Sequence, residues 1–265
     1  MSRLACPADL AHLPALLALV TALCQRERID GATCQDLRLI VEEACVNVMR
    51  HAYPEGEAGA LALEARIVQE GLVRRVVITL EDQGRAFDPL SVAPADTSAD
   101  AEARAPGGLG VHLIRQLSQR QHYQRHPHLG NVFTIEKDLP LPAIHRTQEN
   151  PLQITLNPHD KIAVLAITGS IDSLNADELS QRFSQAMDQG HVRLVADFSL
   201  VNYTSSAGLR SLLGAVKACR LAGGDLRVAA VQPHVNRVLE IAGFTSILNI
   251  FPDVRHAVES FAEAA

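Results

Sequence analysis

The stretch from Leu139 to Pro151 divides this chain. It carries Pro140, Pro142 and Pro151 and has no apolar repeat of helical or strand period. Proline fixes φ and removes a backbone donor, so neither a helix nor a central strand runs through such a segment. The spacing therefore predicts two units, 1–138 and 152–265, joined by a linker over 139–151. At 265 residues the chain is long enough for two ordinary domains. Fully extended, the linker would span on the order of 40 Å.

The formal charge of −6 comes without a basic block, which argues against nucleic-acid binding. The apolar run from Leu13 to Leu23 follows Asp9 and His12, lacks a basic leader and suits a buried helix better than a signal or membrane span. No membrane association and a cytoplasmic location are expected. Cys6, Cys24, Cys34, Cys45 and Cys219 are odd in number, scattered and without CxxC spacing. They read as small core hydrophobes in a reducing compartment.

In the first half, Leu10 to Arg28 reads as one helix with Pro14 near its first turn, and Asp30-Gly31 ends it. A second amphipathic helix begins near Thr33 and runs to about Tyr53. Its stripe is Leu37, Ile40, Val41, Ala44, Cys45 and Val48. Glu43 and Asn47 lie one turn apart along an edge of that stripe, with Arg50 or His51 beyond. Alone, the pair reads as a solvated face, and His51 as a C-terminal cap. Ala60–Gln69 and Val73–Glu81 alternate as a hairpin turning at Glu70-Gly71. Asp82-Gln83-Gly84 follows, then Leu90 to Pro106, a long loop of lid or insert character. Gly107-Gly108-Leu109-Gly110 opens a helix read from Val111 to about Gln121, and Asn131–Lys137 is a closing strand. Glycines at a helix start admit an anion, although alone the run reads as a plain flexible turn. No Lys-Ser/Thr follows them, so this is not a Walker A loop.

Glu-x-x-x-Asn-x-x-x-His-Ala-Tyr, then Asp-x-Gly-x-x-Phe-Asp-Pro, then Gly-Gly-Leu-Gly opening a helix together resemble the GHKL ATP-binding fold. Within it, they are similar to the branch of anti-sigma-factor serine kinases. The resemblance covers roughly the first 138 residues and implies ATP and Mg²⁺ as cofactors. It implies Glu43 as the carboxylate acting on an acceptor serine and Asn47 as the Mg²⁺ ligand. It also implies Asp82 at the adenine amino group, Gly84 allowing close approach of the base, and Gly108 and Gly110 cradling phosphates. The family often carries an arginine just before the glycine run; here Arg104 stands several residues earlier.

The second half alternates strands and helices. The strands are Leu152–Leu156, Ile162–Thr168 ending at a Gly169-Ser170 break, Val192–Phe198, Leu226–Val231 and Ile247–Ile250. The first helix, capped by Asn175 or Ser173, runs to about Gln189, and the others span Ser206–Leu221, Pro233–Ala242 and Val254–Ala262. That alternation predicts an open, largely parallel sheet with helices packed on it. Thr204 or Ser205 suits a helix N-cap, and a serine hydroxyl at that helix start would be exposed. This half resembles the STAS domain of anti-anti-sigma factors, whose phosphorylation loop matches Ser205-Ser206-Ala207-Gly208-Leu209. The resemblance implies Ser206 as phosphoacceptor, with Ser205 as the alternative because it stands where the family often has an aspartate.

The fold class expected overall is α/β in two domains: a GHKL α/β sandwich, with a mixed sheet covered by helices, followed by a STAS open sheet. Jointly the resemblances imply a partner-switching regulator, an ATP-dependent serine kinase coupled to a STAS domain. Its partner would be a STAS or anti-sigma-type protein, a sigma factor or a phosphatase. A homodimer is compatible with the kinase branch. The competing reading is a non-catalytic, ATP-gated binding module.

Overall fold

The computed structural model describes residues 2–54, 59–71, 73–93, 108–139, 151–159 and 162–263. They form two compact units. The linker, the greater part of the expected lid, Arg104 and Gly107 lie outside the described residues.

The first unit begins with strand β1 (Ser2–Pro7) and a short 3-10 turn (Leu10–His12), followed by helices α1 (Leu13–Glu27) and α2 (Gly31–His51). The single helix expected from Leu10 is therefore two elements, and Pro14 sits in the first turn of α1, where its missing N–H costs nothing. Arg28 takes a left-handed conformation (φ +54°) to end α1. The Asp30 carboxylate then accepts from the Thr33 N–H at 2.9 Å to cap α2. The hairpin follows as β2 (Ala60–Glu70) and β3 (Val73–Asp82), then α3 (Leu109–Leu117), β4 (Arg120–His126) and β5 (Gly130–Leu139).

Two elements differ from expectation. The helix after the glycines stops at Leu117 rather than near Gln121, and Arg120–His126 is an edge strand. Ser2–Pro7 is likewise a strand, pairing with β2 at the opposite edge. Both are polar or short, so period-2 hydrophobicity is weak in them.

The sheet order is β1-β2-β3-β5-β4, and each neighbouring pair is antiparallel. Leu61, Leu63, Ile78, Leu80 and Ile135 of the sheet and Leu16, Leu37, Ile40, Leu113 and Ile114 of the helices are buried. On the other face charged side chains pair across strands, as in Arg3–Glu81 (2.8 Å) and Arg120–Glu136 (2.7 Å). One face buried and one charged is the division an antiparallel sheet permits. Lys137 crosses to the helix side, donating to Asp36 of α2 at 2.9 Å and to the Leu117 carbonyl at 2.7 Å. It thereby ties the last strand to both helices.

The second unit contains β6 (Gln153–His159), β7 (Ile162–Ile171), α4 (Ala176–Asp188), β8 (Arg193–Thr204) and α5 (Ser206–Leu221). It continues through β9 (Asp225–Ala229), α6 (Pro233–Ile241), β10 (Asn249–Phe251) and α7 (Val254–Glu263). Its order is β10-β9-β8-β7-β6, parallel except for the antiparallel β6–β7 pair. Gly169-Ser170 does not break β7. The strand passes through them with register shifts, so the departure is a bulge. β8 likewise runs past Phe198 to Thr204, delivering the chain directly to α5.

Cys24, Cys34, Cys45 and Cys219 are buried, Cys6 is half-buried, and all are free thiols. Burial pushes the Cys219 thiol up to about 11 and also raises that of Cys45. Protonated thiols in a core behave as small hydrophobes. Among the described residues no helix is long and apolar enough to cross a membrane.

Candidate functional site

In the first unit α2 presents its second half to a cavity of about 280 Å³. Ala44, Val48, Leu80, Ile114 and Phe133 supply apolar walls, while Asn47, His51, Asp82, Tyr123 and Asn131 supply polar groups. The helical repeat explains why Ala44, Asn47, Val48 and His51 face one way. Of the residues expected in the site, Asn47 and Asp82 line this cavity. Glu43 stands one turn earlier on α2 and is buried, 4% exposed.

Asp82 ends β3 opposite Asn131 of β5. Its Oδ1 accepts from the Gly84 N–H and from Asn131 Nδ2, both at 2.8 Å. Burial holds its carboxyl above the ordinary value of 3.8, while the hydrogen bonds from Asn131 and Gly84 and the charge of Arg125 pull the other way. Asn131 is the hub here. Its Nδ2 also donates to the Arg85 carbonyl (2.8 Å), and its Oδ1 accepts from Tyr123 Oη (2.8 Å) and Arg125 Nη1 (2.9 Å). Arg125 in turn donates to the Gly84 carbonyl at 2.9 Å. Tyr53, beyond the end of α2, accepts from the Gln83 N–H at 2.9 Å and donates to the Ala60 carbonyl at 2.6 Å. The loop after β3 is thus held from three elements, and the Asp82 carboxylate has little freedom.

Sequence reasoning missed Asn131, Tyr123 and Arg125. An asparagine opening an apolar strand was a signal, but its meaning depends on the β3–β5 register.

The expected glycines lie in different environments. Gly84 packs on the C-terminus of α2: a Cβ there would come within 2.5 Å of the Ala52 carbonyl oxygen, which also accepts from the Arg85 N–H at 2.8 Å. Gly108 precedes α3 with φ +75°. Gly110 lies inside the first turn of α3, against the Glu43 carboxylate. Gly84, Gly108 and Gly110 are not among the residues lining the cavity.

In the second unit, Ser205 caps α5, its Oγ accepting from the Gly208 N–H at 3.4 Å while its own N–H donates to the Ile171 carbonyl at 2.8 Å. The exposed serine hydroxyl expected at this helix start is a correction. Ser205 is 0% and Ser206 1% exposed. Extension of β8 to Thr204 seats the first turn of α5 against the end of β7. A Cβ on Gly208 would meet Ile171 Cγ2 and Thr204 Oγ1, each at 2.6 Å. Thr204 Oγ1 is buried with no hydrogen-bond partner.

The family model of the histidine kinase-like ATPase domain matches residues 6–137, and that of the STAS domain matches residues 153–257. The candidate anti-sigma factor antagonist BtrV of Bordetella bronchiseptica is 33% identical over 113 residues, covering 43% of this chain and 97% of BtrV. The serine-protein kinase RsbW of Halalkalibacterium halodurans is 36% identical over 90 residues, covering 32% of this chain and 52% of the relative. RsbW of Bacillus subtilis is 28% identical over 96 residues, covering 35% of this chain and 58% of the relative. The chain therefore spans little more than half the length of these kinase relatives.

Proposed function

The chain joins an N-terminal GHKL histidine kinase-like ATPase domain to a C-terminal STAS domain of the anti-sigma factor antagonist family, and on that premise we propose that it is a partner-switching regulator. In this reading the first domain is an ATP-dependent protein-serine kinase and the second docks partners and carries the acceptor Ser206, with Ser205 the alternative. The observation that carries the reading is the cavity shared by Asn47 and Asp82, with Glu43 one helical turn from Asn47.

That cavity suits a nucleoside triphosphate. A flat base fits between Val48, Leu80, Ile114 and Phe133, with the Asp82 carboxylate available to accept from an exocyclic amino group. Asn47 offers one amide oxygen to Mg²⁺, an ion that takes few protein ligands and fills its shell with phosphate oxygens and water. Bound Mg-ATP supplies the phosphoryl group and the counter-charge for its transfer. Asp82 selects the base, Asn131 and Tyr53 hold the Asp82 loop, and Glu43 orients the serine hydroxyl and takes its proton. A phosphate on the STAS serine adds charge at a helix start packed around a neutral hydroxyl and so changes which partner the domain holds.

The experiment is a nucleotide titration followed by phosphopeptide mapping after incubation with Mg-ATP. Binding together with phosphoserine on this chain, or on a supplied STAS domain, supports the kinase. Binding with phosphoserine on neither sinks it.

Burial of both serines favours a second reading, in which the first domain grips a partner under ATP control without catalysis. Glu43→Gln separates the two: partner regulation surviving that change, with nucleotide binding intact, selects the non-catalytic module.

A further inference from the structure

Two glycines flank the start of α3, and their physical requirements differ. Gly108 has φ +75°, and a Cβ built on it would meet nothing within 4 Å. Its requirement is therefore conformational, a left-handed residue that starts the helix. Gly110 has no positive φ. A Cβ there would overlap Glu43 Oε2 and lie 3.3 Å from the carboxyl carbon. Its requirement is room for that carboxylate. Glu43 itself is 4% exposed.

We propose that Gly110 is a positioning residue whose missing side chain seats the Glu43 carboxylate against the first turn of α3. The proposal rests on the kinase reading above and deepens it. The first turn of a helix carries unpaired N–H groups and partial positive charge, which suit a carboxylate. The contact fixes the one carboxylate proposed to act on the acceptor hydroxyl, from the helix that the glycines open. Because the obstructed atom is the far end of a flexible side chain, a methyl group at Gly110 displaces Glu43 rather than the backbone. The cost therefore falls on transfer geometry more than on folding.

The test compares wild type, Gly110→Ala, Glu43→Ala and the double variant Gly110→Ala/Glu43→Ala in ATP affinity, single-turnover transfer to a supplied STAS domain, and thermal unfolding. A side chain misplaced by about 1 Å can cost on the order of 100-fold in rate. Gly110→Ala is therefore expected to lower transfer by about that factor at saturating ATP, where a change in ATP affinity does not contribute. In the Glu43→Ala background the same change should have no further effect on rate. Equal transfer by Gly110→Ala and wild type overturns the proposal, as does an undiminished loss in the Glu43→Ala background.

A readout independent of activity is the ¹³C resonance of the Glu43 carboxyl, identified by its loss in Glu43→Gln. Its position and pH midpoint should move in Gly110→Ala, and an unmoved signal overturns the proposal. If wild type transfers no phosphate, the kinase reading fails while this signal still decides the seating of Glu43. If Gly110→Ala does not fold, the double variant should restore folding by removing the obstructed group. Failure to restore it overturns the proposal.

Discussion

At Asp82 the demands of folding and of the proposed chemistry diverge, because burial raises the cost of its negative charge. A carboxyl whose folded pKa lies above its unfolded value binds protons more readily in the folded state. Its contribution to stability is complete below about 3.8 and is lost as pH rises through the folded value. Asp82→Asn is accordingly expected to raise the thermal midpoint of the first unit at pH 7 and leave it unchanged well below pH 4. The same substitution should weaken ATP binding roughly 10- to 100-fold, the range for losing a hydrogen bond to a charged acceptor. Calorimetry at the two pH values, with a nucleotide titration alongside, checks both, and a lowered midpoint at neutral pH would refute the burial argument. For Glu43→Gln the expectation is different: transfer falls at least 100-fold while ATP affinity holds within about threefold, since general-base catalysis typically contributes 10²–10⁴.

Elements hold these residues through a small number of contacts. Lys137 is one, joining β5 to α2 through Asp36 and to the end of α3 through the Leu117 carbonyl. Lys137→Ala removes one partner of this largely buried ion pair, which costs about 3 kcal/mol. For a unit of this size that lowers the midpoint on the order of 10 °C, and a shift within a degree or two in calorimetry would show the pair to be dispensable. In the second unit Ser205→Ala removes the α5 cap, for a cost of about 1 kcal/mol. It should also speed amide exchange in the first turn of α5 relative to its middle; unchanged exchange there would mean β8 alone holds the helix start.

The strongly periodic elements were legible in the sequence: α2, the β2–β3 hairpin and α5 carry apolar repeats that burial enforces. β4 was not legible. Most of its side chains are polar, and it lies at a sheet edge, so alternation left no trace: the expected helix reached about Gln121 and the rest of the segment carried no assignment. The burial of Ser206 was hidden for another reason. It follows from β8 running on to Thr204 and from α5 closing on Ile171, both consequences of packing rather than of local pattern. Asn131 likewise becomes meaningful only once β3 and β5 are in register.

At the scale of the whole molecule, a histidine kinase-like ATPase domain and a STAS domain share one chain. The proposed coupling between them is a phosphoryl group. The measurement that tests this most directly is phosphopeptide mapping of the full chain after incubation with Mg-ATP, beside Glu43→Gln and with a separate STAS domain supplied as second acceptor. The account predicts phosphoserine within Ser205–Ser206, or at the corresponding serine of the supplied domain, from wild type alone. Phosphoserine at equal levels from Glu43→Gln, or none from a wild type that demonstrably binds ATP, would contradict it.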